Sequence, residues 1–107
     1  MAQEATRDRP DGPIGNKILF ENEQVRVWAM NVPPGDKKAW HRHELPYVIV
    51  PLTGGTFEIE SVDGKIVRPR ETVGEALWRD PGEVHELRNL GEAVYRNVLI
   101  EIKTPAK

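Results

Sequence analysis

The 107-residue chain contains no cysteine, which excludes a disulfide framework and thiolate metal ligands, so any bound metal must be held by imidazole, carboxylate, amide or hydroxyl groups. No uninterrupted apolar run approaches membrane-spanning length, and the polar amino terminus MAQEATRDRPDGPIGN lacks the apolar centre of a secretory signal. Charge excess is missing too: 15 basic and 17 acidic residues leave a formal charge of −2, with no Lys/Arg block to bind polyanions. The expectation is a soluble, cytoplasmic protein that engages neither nucleic acid nor membrane. A helical period is also lacking. One domain is the size expected for this length.

What the chain has in abundance is short β-rich runs between turn signals. Residues 1–16 carry charges, Pro10, Pro13, Gly12 and Gly15 with little to bury, and are expected to be a flexible tail, or else a strand that orders on a partner subunit. Residues 17–107 form the domain. Strands are expected over Lys17–Glu21, Gln24–Val32, Lys38–His43, Tyr47–Leu52, Thr56–Val62, Lys65–Arg68, Ala76–Arg79, Val84–Asn89 and Val94–Ile102. Asp63-Gly64 marks a tight hairpin, and Pro51 suggests an edge or a bulge in its strand. About nine short strands at close spacing predict an all-β sandwich or barrel.

Chemistry concentrates between Gly35 and Gly55. His41 and His43 are separated by one residue, so in an extended strand both project from the same side, at chelating distance. His85, the third histidine of the chain, completes a three-nitrogen site if the fold brings its strand beside the first.

The residues around these histidines resemble the two motifs of the cupin superfamily. The first motif, glycine, five residues, His-x-His, three or four residues, glutamate, six residues, glycine, is matched by Gly35, His41, His43 and Gly54. The second is matched by Gly74, Gly82, His85 and Asn89, with Asp80 in place of its proline. Where the first motif has glutamate, this chain has Tyr47 or, by the longer spacing, Val48; counting back from Gly54 selects Tyr47.

The resemblance implies a cupin-like jelly roll, or double-stranded β-helix, with His41, His43 and His85 as ligands of a divalent transition metal. Three neutral imidazoles in place of two and a carboxylate raise the net charge of the site from +1 to +2, which favours anionic or chelating small-molecule substrates. Imidazole suits several ions; Fe(II) is favoured because three-histidine cupins include iron dioxygenases, and Zn, Ni, Mn and Cu are the alternatives. The functional expectation is a dioxygenase-type oxidoreductase, with Tyr47 and Glu83 as catalytic candidates beside the metal. An isomerase or lyase, and a non-catalytic small-molecule or metal-binding cupin, are the competing readings.

Other positions carry weaker signals. Glu44 is expected on the face opposite His43, and Arg42 and Arg88 on the outer side of their strands. Trp40, out of phase with the histidines, is expected in an outer layer or interface, and Trp28 with Met30 on a shared face. In the last strand Val94, Val98, Ile100 and Ile102 share one parity, leaving Asn97 and Glu101 for a solvated face or a polar contact at the inner wall. Tryptophan content and the apolar run Tyr47–Leu52 suggest a homodimer.

Overall fold

A computed structural model describes residues 4–103. Nine strands follow in order: β1 Lys17–Glu21, β2 Val25–Val32, β3 Lys37–Arg42, β4 Tyr47–Pro51, β5 Phe57–Ser61, β6 Ile66–Val67, β7 Leu77–Arg79, β8 Val84–Asn89 and β9 Tyr95–Ile102. Each expected strand forms, β1 and β8 with the expected bounds and the others with one or both ends shifted by a single residue. Among the described residues there is no helix, and hence none that crosses a membrane.

The strands form two antiparallel sheets, β1-β2-β9-β4-β7 and β3-β8-β5-β6. Their facing sides enclose a core of Ile14, Met30, Val32, Tyr47, Phe57, Leu87, Tyr95 and Leu99. Burial of this set is the main drive to close the two sheets on each other. The arrangement is a jelly roll, as expected.

Residues 4–16, expected to bury little, do pack against the barrel. Ala5 and Ile14 are buried, Asp11 bridges His41, the Gly12 amide donates to the Trp40 carbonyl at 3.0 Å, and Arg7 pairs with Glu60. Gly12 and Gly15 explain the close approach. A Cβ on Gly12 would lie 2.7 Å from the Trp40 oxygen, and one on Gly15 2.8 Å from the Trp28 side chain. Trp40 is in the outer layer, but this chain's own amino-terminal segment covers it, with the Arg7 guanidinium 5.1 Å from the ring.

Pro51 is neither on an outer strand nor at a bulge. It is the last residue of β4, beyond Ile49 where pairing with β7 stops, so its missing N–H interrupts no ladder on that side.

The last strand is turned opposite to its most apolar parity. Tyr95, Asn97, Leu99 and Glu101 are buried, whereas Val98, Ile100 and Ile102 are only partly covered on the outside of the sheet. Polar groups can face inward here because most of their atoms are paired, Asn97 Oδ1 being the buried exception. Glu101 Oε1 accepts from Arg26 Nε and Trp28 Nε1, each at 2.7 Å, and Asn97 Nδ2 donates to the Tyr95 hydroxyl at 2.9 Å.

Candidate metal centre

β3 and β8 are neighbours, and their register sets His41 directly opposite His85. A bulge between Lys38 and His41 adds a residue to β3, which turns Trp40 out and His41 in. His43 lies just past the end of β3. It is still held in ladder fashion: its amide donates to the Glu83 carbonyl at 2.8 Å, and its carbonyl accepts from the Gly82 amide at 2.7 Å. Gly82 has φ +107, a conformation that side-chain-bearing residues rarely adopt, so glycine is required where the chain turns into β8.

The three rings form a nearly equilateral group, with centroids 4.7–4.9 Å apart, and one nitrogen from each lies within 4.8 Å of the others. All three histidines are buried. His41 Nδ1 lies 2.8 Å from the Ala39 carbonyl, which can only accept, so Nδ1 carries the proton and Nε2 presents a lone pair. His43 Nε2 and His85 Nε2 are 3.1 Å apart. Two nitrogens about 2.1 Å from one ion would be separated by about 3.0–3.4 Å for angles between square and tetrahedral. The His43–His85 spacing fits a shared ion.

Burial disfavours charge on every member. His41 is lowered to about 4 by burial first and His85 second, His85 to about 4 by burial and then Arg79, and His43 to about 2 by burial and its two neighbours. At neutral pH the three are therefore uncharged bases, the form a metal requires. His43 Nδ1 is buried without a hydrogen-bond partner, so on that side packing holds the ring: Tyr47 stacks on it at 4.1 Å and 18°.

Tyr47 occupies the position of the missing glutamate, and its hydroxyl donates to Glu83 Oε1 at 2.8 Å. Burial, reinforced by Glu83, raises the phenol well above its ordinary value, so it stays protonated. The sequence-derived pair thus meets at the mouth of the site. Glu44 and Arg42 are solvent-exposed, and Arg88, on the outer side, binds Glu58, Glu60 and Glu86 at 2.8–3.0 Å.

The histidines line a cavity of about 50 Å³ between the sheets. A water needs roughly 10–15 Å³ by this measure, so the space suits only a few heavy atoms. Apolar walls come from Met30, Ile49, Phe57, Ile59 and Leu99. Met30 reaches it, but its strand neighbour Trp28 is turned to Glu101 instead. A larger depression of about 570 Å³ lies outside, between the amino-terminal segment and β2; it is shallow and its Arg26 is already paired with Glu101.

Two charged residues of the cavity escaped the sequence reading. Arg79 stands opposite Tyr47 across the β4–β7 ladder. It forms no ion pair among the described residues, and its side-chain hydrogen bond there is a 3.4 Å contact to the carbonyl of Trp78. Glu71 accepts from the Tyr95 hydroxyl at 2.5 Å, and burial raises its carboxyl above the ordinary range. Both come from the β6–β8 region, whose strands are too short for alternation to show which way they point.

Fold and site together define a small jelly-roll barrel with a three-imidazole cluster at its inner wall, and the chain belongs to the cupin superfamily. It is 35% identical over 86 residues to the β-alanine degradation protein BauB of Pseudomonas aeruginosa, covering 80% of this chain and 90% of that one. A crystal structure of a cupin domain from Bordetella pertussis Tohama I is similar with a TM-score of 0.78 and 35% identity, covering 82% of this chain and 91% of that one. A predicted oxalate decarboxylase from Thermotoga maritima is similar with a TM-score of 0.55 and 26% identity, covering 76% of this chain and 69% of that one. No family model matches.

Proposed function

We propose that this cupin is a metal-dependent oxidoreductase of the dioxygenase type, acting on a small carboxylic acid, with Fe(II) as the favoured ion held by His41, His43 and His85. The observation that carries the reading is three uncharged imidazoles converging in a small cavity that also contains an arginine without an ion-pair partner among the described residues. When bound, the ion supplies Lewis acidity, a template for the substrate and, as Fe(II), a redox couple for dioxygen.

The protein's own groups supply the rest. Arg79 offers a planar, permanently charged fork that matches a carboxylate, at the rim next to Tyr47. Tyr47 keeps its proton on the phenol oxygen and directs it to Glu83, so a proton lost by the substrate has a route through that oxygen to the Glu83 carboxylate. The apolar walls exclude water and admit only a few heavy atoms. β-Alanine and oxalate, the compounds in the names of two relatives, are both small carboxylates, which supports the substrate class.

The test has two stages. Elemental analysis of protein made without an affinity tag should find one divalent ion per chain and a loss of it in His85→Ala; equal metal in both would overturn the three-histidine site. An oxygen electrode then follows the Fe(II) form with a panel of small hydroxy, keto, amino and thiol acids. Oxygen uptake with one of them is expected. Turnover of an acid without uptake would replace the dioxygenase reading with isomerase or lyase chemistry, and tight binding without turnover would make the protein a binding module.

A further inference from the structure

The outer faces of the two sheets differ in chemistry. On the four-stranded sheet the outward row is charged: Glu58, Glu60, Glu86, Arg88 and Lys37, tied by ion pairs that include Arg88 to all three glutamates. Ion pairs satisfy that face, and the amino-terminal segment adds to them through Arg7 with Glu60 and Glu4 with Lys37. On the five-stranded sheet the register aligns one residue from each strand into a single row, Phe20, Val27, Ile100, Val48 and Trp78, running from edge to edge. Every member is apolar. The two end members, Phe20 and Trp78, are each 54% exposed.

Flanking rows continue the pattern, with Ala29, Val98 and Val50 on one side and Val25 and Ile102 on the other. Charged groups of the outer face, Lys17 and Arg96, stand at its rim. Ten positions, each about 4.8 by 7 Å, give an apolar footprint of roughly 340 Å². That is the size of the largest apolar patch a single chain ordinarily exposes, and such a patch is often functional.

We infer that this face binds the same face of a second copy, burying the Phe20–Trp78 row in a two-fold dimer. The dimensions favour that occupant. With its rim, the footprint reaches the roughly 500 Å² per partner that a specific interface must clear. Because β9 is the middle strand of the five, a two-fold axis along it returns the row onto itself, with Phe20 set against Trp78 of the partner subunit. An apolar centre with a charged rim is the ordinary anatomy of such a contact. The orientation of β9 also acquires a reason: its Val/Ile parity faces the partner, while its paired polar parity lines the barrel.

Sedimentation velocity on the full chain, through a dilution series, tests the inference. The wild type should sediment at twice the 12.1 kDa chain mass, and Ile100→Lys at the single-chain mass with an unchanged far-ultraviolet spectrum. Ile66→Lys, an outward change on the other sheet at a residue paired with Glu60 and 51% exposed, should remain dimeric. A wild type of single-chain mass at every concentration, or an Ile100→Lys protein as dimeric as wild type, would overturn it. If Ile100→Lys does not fold, iodide quenching of Trp78 in the wild type decides: quenching that rises on dilution is expected, and quenching independent of concentration refutes the contact.

Discussion

Metal-free protein should lose stability steeply as the pH falls from about 7 to 5, because three buried imidazoles must remain neutral in the fold. The sign follows from the protonation states. His41 and His85 are lowered from 6.5 to about 4 and His43 to about 2, so below pH 6.5 the unfolded chain binds more protons than the folded one. Their contribution is complete above pH 6.5 and is lost on the way down through pH 4. At pH 5 a histidine with these folded and unfolded values costs about 2 kcal/mol relative to pH 8. Three independent groups would cost about 6 kcal/mol. The true figure is smaller, since His41 and His43 are lowered in part by neighbouring histidines and the first proton relieves the rest by local opening; about 3–5 kcal/mol is expected, against a total of about 5–15 kcal/mol for a domain. Urea unfolding of chelator-treated protein at pH 8, 7, 6 and 5 measures it, with the triple variant His41→Gln, His43→Gln, His85→Gln as reference. A wild-type midpoint independent of pH over that range, or a slope equal to that of the triple variant, would show that the cluster is not buried and neutral as described.

Tyr47→Phe should keep the metal content, because the ring still stacks on His43, while turnover falls; Tyr47→Ala should weaken metal affinity about tenfold or more, read by competition with a chelator. Arg79→Gln should raise the KM for a carboxylate substrate about 10–100-fold with metal content unchanged, as expected for loss of a charge-assisted pair. Glu101→Ala should destabilise the fold by about 2–4 kcal/mol in urea, since Trp28 Nε1 and Arg26 lose their shared acceptor inside the barrel; the lower end is favoured because Arg26 is partly solvated.

Turn residues and β-rich runs between them made the nine strands legible, because Gly, Pro, Asn and Asp restrict where an extended chain can reverse. His41, His43 and His85 were legible through their spacing and the resemblance that spacing carries. So was the replacement of the expected glutamate by Tyr47. The amino-terminal segment was not, because what it buries is small: Ala5, Ile14 and the bare backbone of Gly12 and Gly15, which give no apolar period.

The sequence by itself thus determined the all-β class, the order of the strands and the identity of the three imidazoles, since these depend on local conformation and on residue type. Only the tertiary structure decided which face of each strand is inside. Alternation divides β9 into two rows without saying which is core, and hydrophobicity points to the wrong one where polar side chains find buried partners and aliphatic ones cover an outer face. The same holds for Arg79 and Glu71. Their place in the cavity beside the histidines comes from pairing and packing between segments far apart in the chain, and no local pattern encodes that.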